Sequence, residues 1–122
     1  MSEGVRHTLP KTERISGRTT ISALMRSGRY ISAAPLRCCC LRRGDDGACR
    51  LLVSVPKRLY KRAVKRNLLK RRIRESFRLQ KHRLPAGYDL MFVYTSAEIH
   101  PFADIYAAVG TVIASLSGHG ED

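Results

Sequence analysis

Residues 57–78 read KRLYKRAVKRNLLKRRIRESFR, and the rest of the chain is organised around this stretch. Between Lys57 and Arg83 lie 13 of the chain's 23 Lys and Arg residues, against a single acid, Glu75. The whole chain of 122 residues has a formal net charge of +13 at pH 7 and a pI near 10.4. Because cations gathered this closely repel one another, a polyanion such as nucleic acid is the natural partner.

Placed on a helix, residues 61–80 divide into an apolar face and a basic face. The side chains predicted to form a stripe against a core, by their i, i+4, i+7, i+8 spacing, are Leu69, Ile73, Ser76 and Phe77. Val64 and Leu68 are predicted to form a second apolar edge. We define the basic arc as the neighbouring face made of Asn67, Lys70, Arg71, Arg74 and Arg78. No acid interrupts this arc, so we predict that it has no internal partners.

A run of charge is ordinarily a solvated helix surface. In this run, however, Arg outnumbers Lys, and the planar guanidinium suits bidentate contact with phosphates or base edges. Asn67 adds a donor and an acceptor to the basic arc, although Asn is a weak helix former. These features favour nucleic-acid binding over a merely solvated surface.

Residues 63–75 read AVKRNLLKRRIRE, which resembles the signature A-V-x-R-N-x-x-K-R-x-x-R-E of the ribonuclease P protein component family. Every fixed position of that signature is matched. The similarity extends outward over roughly residues 9–117 and includes SVPKR at residues 54–58. The other matching positions are Pro10, Lys11, Glu13, Arg14, Ile21, Leu24, Gly28 and Pro35.

The resemblance implies an RNA-binding subunit that assists a catalytic RNA in removing the 5′ leader from precursor tRNA by endonucleolytic cleavage. It implies two partners, the ribonuclease P RNA and precursor tRNA, and no DNA. The lack of an apolar span and of a signal-peptide core predicts a cytoplasmic protein that does not enter a membrane. The protein itself is expected to hold no cofactor, no metal and no catalytic residue, while the RNA-containing holoenzyme requires Mg²⁺. The alternatives from other classes are a basic structural RNA-binding protein of ribosomal type and an independent endonuclease.

Matching positions also imply which residues contact RNA. Contacts to the catalytic RNA are expected from Arg66, Asn67, Lys70, Arg71 and Arg74, and further candidates are Lys57, Arg58, Lys61, Arg62, Arg72 and Arg78. The positions that correspond to the family's groove for the 5′ leader are Ile21, Met25 and Cys39. None of these is aromatic, so apolar contact is expected there in place of base stacking. Other candidates for stacking are Tyr30, Phe92 and Tyr94, with core packing favoured for Phe92.

The flanking sequence predicts one α/β (α+β) domain spanning residues 1–122. A helix is predicted from Ser16 to about Ser27, with Ile21, Leu24 and Met25 on its core face and Gly28 at its end. Strands are predicted over residues 36–42, 50–55 and 88–94, with a turn over residues 44–47 and Pro56 ending the second of these strands. Residues 1–9 are expected to be a mobile arm and residues 117–122 a frayed tail.

A last helix is predicted to begin at Pro101, in the N1 position. Its core-facing stripe is predicted to be Phe102, Ile105, Val109, Val112, Ile113 and Leu116. The resemblance implies the αβββαβα-type ribonuclease P protein fold, similar to the second domain of ribosomal protein S5, with a left-handed βαβ crossover. Periodicity alone does not predict that handedness.

The remaining residues give little support to chemistry by the protein itself. The ten acids are scattered, and the histidines lie apart along the chain, so neither a carboxylate cluster for Mg²⁺ nor a two-histidine ribonuclease site is indicated. The cysteines, Cys38, Cys39, Cys40 and Cys49, lack zinc-ligand spacing and are predicted to be reduced apolar residues in strands. Metal binding and redox sensing are the alternatives for them. No run of 18 apolar residues and no signal-peptide core are present.

Overall fold

The computed structural model describes residues 18–43 and 47–119. Its elements, in chain order, are α1 (Arg18–Ser27), β1 (Arg29–Ala33), β2 (Leu36–Arg42), β3 (Arg50–Ser54), α2 (Ala63–Gln80), β4 (Tyr88–Tyr94) and α3 (Phe102–His119). A 3₁₀ turn, Lys81–Arg83, follows α2. The strands form one mixed sheet in the order β1-β2-β4-β3. The predicted α+β class is therefore confirmed.

The two faces of the sheet carry two separate apolar clusters. On β2, Leu36, Cys38 and Cys40 belong to the main core, together with the buried residues of α2 and α3. Cys39 points to the opposite face, where it packs with Leu24 of α1 and Met91. This alternation follows from the two-residue period of a strand.

The predicted core stripe of α2 is confirmed. Leu69, Ile73 and Phe77 are fully buried, and the buried Ser76 hydroxyl donates to the carbonyl of Arg72 at 2.8 Å. Val64 is 79% exposed, so the second apolar edge predicted there was wrong. Burial on α2 begins only at Leu69, and the first turns of the helix lie beyond the core.

Gln80 is a buried polar residue that periodicity did not indicate. Its Nε2 donates to the carbonyl of Tyr106 on α3 at 2.9 Å, and its Oε1 accepts from Arg83 at 3.1 Å. A Cβ on Gly110 would stand only 2.7 Å from that Oε1. Gly110 therefore allows α3 to approach α2 closely, which offsets the cost of a glycine within a helix.

The other helices agree with the prediction except at their exposed ends. Five residues of the α3 stripe are buried, whereas Phe102 is partly exposed, and the backbone stays helical to His119 instead of fraying from residue 117. Pro101 directly precedes α3, and its carbonyl accepts from the Ile105 amide. On α1, Leu24 is buried but Met25 is 53% exposed, so Met25 is not a core residue.

The strand order differs from a simple hairpin of residues 36–42 and 50–55. β1, which was not placed from the sequence, pairs antiparallel with β2, and β4 lies between β2 and β3. β3 runs parallel to β4 and is joined to it by α2, which makes β3-α2-β4 a crossover unit. Its left-handedness stays a prediction. The predicted cap Ser16, the arm of residues 1–9, turn residues 44–46 and residues 120–122 lie outside the described residues.

Candidate nucleic-acid interface

The basic arc lies on the side of α2 that the core does not cover. Asn67 and Arg71 are exposed, and the other three members, Lys70, Arg74 and Arg78, are partly exposed. Asn67, Lys70 and Arg71 make no side-chain hydrogen bond or ion pair with the part of the chain that the structure describes. Their donors are therefore available for an external acceptor.

One member of the basic arc does have an internal partner. The guanidinium of Arg78 pairs with the Glu75 carboxylate, Nε to Oε1 at 3.0 Å and Nη2 to Oε2 at 2.5 Å. The hydrogen bonds that Arg78 donates to the Glu75 carboxylate raise the pKa of Arg78. The prediction that the basic arc has no internal partners was wrong at Arg78. Glu75 lies three residues before it, and residues three apart on a helix are neighbours.

Two predicted RNA contacts, Arg66 and Arg72, are partly committed to the fold. The Nη1 atom of Arg66 donates to the carbonyls of Tyr60 and Lys61, both at 2.8 Å. The Nη1 atom of Arg72 donates to the carbonyl of His100, before α3, at 2.6 Å. Each guanidinium therefore ties α2 to a neighbouring loop and keeps further donors for another acceptor.

The loop before α2 adds four exposed cations to the same end of the helix: Lys57, Arg58, Lys61 and Arg62. A turn at Pro56, whose carbonyl accepts from the amides of Leu59 and Tyr60, sets the path of this loop. Tyr60 anchors it, since its ring packs edge-on against Tyr94 at 5.9 Å and its hydroxyl donates to the Ser96 carbonyl.

The start of α2 is electrostatically unfavourable on its own. The first turn contains no acid, and the Arg62 cap makes no side-chain hydrogen bond to the helix. Cations at this end oppose the positive end of the helix dipole, while an anion placed there would be stabilised. The cations at this end therefore lower the stability of the isolated helix, and a bound phosphate would offset that cost.

The opposite face of the sheet carries the predicted groove positions. Ile21 is partly buried beside the Leu24 cluster, and Met25 is exposed. Cys39 is only 1% exposed, and its thiol donates to the Leu24 carbonyl at 3.1 Å. The expectation of a direct leader contact at Cys39 is therefore not supported, because α1 covers it.

The exposed aromatic residue on this face is Tyr30, on the edge strand β1. It is 49% exposed, and the guanidinium of Arg37 lies over its ring at 5.4 Å. Phe92 and Tyr94 are fully buried, so of the three aromatic candidates only Tyr30 presents a surface. Tyr30 was a candidate from the sequence, but its exposure follows from its position on β1, whose residues were not identified from the sequence.

The described acids mostly have basic partners. Asp89 is buried between Arg43 and Arg50, which donate to its carboxylate at 2.5 and 2.8 Å. The Asp104 carboxylate lies 3.1 Å from the ring of His100. Within residues 18–43 and 47–119, no three His, Cys, Asp or Glu side chains are grouped as metal ligands.

All four cysteines are free thiols, and burial raises their pKa values.

None of the described helices combines the length and the apolar character needed to cross a membrane. The fold and the exposed cations of α2 define the class of this chain: a small α+β domain with a basic helix face suited to a polyanion.

Comparisons with known proteins identify the family. The model of the family described as Ribonuclease P matches residues 9–116. A ribonuclease P protein component of Porphyromonas gingivalis is 31% identical over 121 residues, covering 91% of this chain and 88% of that protein. One from Haemophilus influenzae is 59% identical over 44 residues, 36% of each chain. The chain belongs to the ribonuclease P protein component family.

Solved structures agree with this assignment. The chain resembles the Staphylococcus aureus RNase P protein with a TM-score of 0.75 and 26% identity, covering 87% of this chain and 98% of that one. The RNase P protein from Thermotoga maritima shares the fold, with a TM-score of 0.74, 23% identity and coverage of 84% and 96%. Family and fold are consistent with a protein subunit that serves tRNA 5′ maturation.

Proposed function

We propose that this chain binds the ribonuclease P RNA through α2 and the loop before it, and that it assists endonucleolytic removal of the 5′ leader from precursor tRNA in the cytoplasm. The observation that carries the proposal is the set of exposed and partly exposed cations that have no partner among the described residues, of which Lys70 and Arg71 lie at the centre. Neutralising RNA phosphates with these cations releases counterions, which gives affinity that falls with salt.

The second part of the proposal concerns the leader. Tyr30, Met25 and Ile21 lie on or beside the sheet face that α1 covers only in part. An extended single strand suits such a surface, because its bases stack on an aromatic ring and contact apolar side chains. In this proposal α2 binds the catalytic RNA, while the opposite sheet face binds the leader of the substrate.

Catalysis is assigned to the RNA subunit in this proposal. The described acids do not offer a ligand set for Mg²⁺: Asp89 is bound by two arginines, and Glu75 is paired with Arg78. The proposal therefore gives no catalytic step to a metal held by the protein. The Mg²⁺ that the holoenzyme requires would be held by RNA, and the protein would lower the repulsion between the two RNAs.

The test is a cleavage assay with the purified chain and a 5′-labelled precursor tRNA, with and without a bacterial ribonuclease P RNA, at low and moderate Mg²⁺. We expect no cleavage by the protein alone and stimulated cleavage by the RNA when the protein is added, most clearly at low Mg²⁺. Cleavage by the protein alone would indicate an independent endonuclease. A folded protein that neither binds this RNA nor stimulates it would favour the ribosomal type of RNA-binding protein.

A further inference from the structure

An open pocket of about 320 Å³ lies between the outer side of α2 and the start of α3. It is lined by Leu68, Arg71, Arg72, Glu75 and Phe102. The four α2 residues fall at i, i+3, i+4 and i+7, so they form one stripe of the helix, and Phe102 faces them from α3. This volume is at the lower end of ligand pockets, roughly 300–1,000 Å³, and suits a single planar group.

The aromatic wall of the pocket is exposed without being part of the core. Phe102 and Tyr106, one turn apart on α3, have ring centroids 5.7 Å apart and are 36% and 39% exposed. Ile105, between them in sequence, is fully buried. The aromatic pair therefore lies at the edge of the packed surface, where an exposed ring is available for stacking.

The charges around the pocket favour an anion. Arg71 is exposed and has no ion pair within the described residues, whereas Arg72 is fixed by the His100 carbonyl. Glu75, which also lines the pocket, is offset by its two hydrogen bonds with Arg78. A phosphate beside Arg71 would therefore meet a free guanidinium and a carboxylate whose charge is largely compensated.

We propose that this pocket is a nucleotide subsite of the RNA interface, in which one unpaired base of the bound RNA stacks on Phe102 while Arg71 contacts its phosphate. Arg71 belongs to both the pocket and the basic arc, so an RNA strand on α2 reaches the pocket without leaving the protein surface. The inference rests on the proposed function, because the RNA must first bind α2.

A second copy of this chain is the less favourable occupant. Each copy has a formal charge of +13, and bringing two basic helices together would add to the repulsion that RNA removes. The pocket is also too small to receive a helix, which needs an extended groove for several anchor side chains.

The experiment measures affinity for a bacterial ribonuclease P RNA over a series of salt concentrations. For Phe102→Leu, which keeps an apolar side chain but removes the ring, we expect binding about 5- to 150-fold weaker, the range for one stacked base. The slope of log affinity against log salt should stay unchanged, since no charge is lost. For Arg71→Ala the magnitude of this slope should fall by about one, because one phosphate contact is lost.

Two variants serve as controls. Phe102→Tyr keeps the ring and should retain affinity, and Ile99→Ala removes a comparably exposed apolar side chain that does not line the pocket. Equal affinities for Phe102→Leu and Ile99→Ala would overturn the subsite while leaving the proposed function intact. Failure of the wild-type protein to bind this RNA would instead contradict the proposed function.

Crosslinking of the wild-type protein provides a test that does not depend on how the variants fold. Ribonuclease P RNA carrying 4-thiouridine should crosslink to the peptide that contains Phe102 and Tyr106, as mapped by mass spectrometry. Crosslinks confined to other peptides would overturn the subsite. A concentration-dependent dimer that is lost in Phe102→Leu, measured by sedimentation, would assign the pocket to a second copy and would also overturn it.

Discussion

The guanidinium of Arg66 joins the first turn of α2 to the loop before it, because its Nη1 lies 2.8 Å from the carbonyl oxygens of both Tyr60 and Lys61. We predict that Arg66→Ala lowers the free energy of unfolding by about 1.5–3 kcal/mol, the scale for hydrogen bonds that involve a charged group. Urea unfolding followed by circular dichroism measures this change.

Lys65→Ala is the matched control for Arg66→Ala. Lys65 is the adjacent exposed cation of the same turn and makes no side-chain hydrogen bond or ion pair within the described residues. Its removal should change stability by less than about 0.5 kcal/mol, as for an ordinary surface position. If both variants unfold at the same urea concentration as the wild type, Arg66 does not anchor the loop and acts through RNA alone.

A substitution at Lys70 tests the electrostatic contribution to RNA binding, because it should leave the fold unchanged. Lys70→Ala should weaken binding to a bacterial ribonuclease P RNA and lower the salt slope by about one, since one phosphate contact is lost. Arg78→Ala should have a smaller effect on the slope, because Glu75 already offsets that charge. Lys70→Arg is the control that keeps the charge. An unchanged salt slope in Lys70→Ala would show that Lys70 does not contact the RNA.

The faces of the elements could be predicted from the sequence because they depend on local spacing. The stripe of Leu69, Ile73 and Phe77 and the alternation on β2 follow from the periods of a helix and a strand. The exposure of Val64 could not be predicted in this way, since it depends on where α2 first meets the rest of the core.

The site was only partly predictable, since several of its cations have partners that are distant in sequence. Arg72 donates to His100, which lies 28 residues further along the chain, and no helical spacing indicates that contact. The placing of β4 between β2 and β3 likewise depends on the crossover through α2. The role of Tyr30 depends in turn on β1, whose short sequence of five residues gave no clear strand pattern.

Tyr30 provides a test of the leader-binding part of the proposal. In the complex with ribonuclease P RNA, Tyr30→Leu should weaken binding of precursor tRNA by about 1–3 kcal/mol, the contribution of one base stacked on an aromatic ring. Binding of mature tRNA, which lacks the leader, should be unaffected. Tyr30→Phe keeps the ring and is the control. A loss of the same size for both tRNAs would show that Tyr30 does not contact the leader.

The cysteine run provides a prediction about pH. Burial raises the pKa of Cys38 well above its ordinary value of 9.0, and it raises the pKa values of Cys39 and Cys40 as well. A thiol whose pKa is higher in the folded state stabilises the fold fully below the unfolded pKa, and this contribution is lost as pH rises. The free energy of unfolding should therefore fall above about pH 9, with iodoacetamide reacting slowly in the folded protein at pH 7.5.

Cys38→Ala separates this effect from other alkaline transitions. The variant has one buried thiol fewer, so its stability should fall less steeply with pH above about 9 than that of the wild type. Parallel curves for the two proteins would contradict a contribution from Cys38. Rapid alkylation of Cys38, Cys39 or Cys40 in the folded wild type, as opposed to the partly buried Cys49, would likewise indicate that these thiols are accessible to solvent.

Asp89, on β4, is a buried carboxylate that connects this strand to Arg50 at the start of β3 and to Arg43 just after β2. Arg43 and Arg50 both donate to it, and its side chain is 3% exposed. Asp89→Asn would remove the buried carboxylate that both of these guanidinium groups contact, so we predict a loss of about 3–5 kcal/mol in the free energy of unfolding. Asp104→Asn, at an exposed carboxylate paired with His100, is the matched control and should cost less than about 1 kcal/mol. Equal losses in urea unfolding would mean that burial does not strengthen the Asp89 pairs. A loss confined to Asp89→Asn would assign to this carboxylate the joining of β3 and β4, the two strands that the basic helix connects.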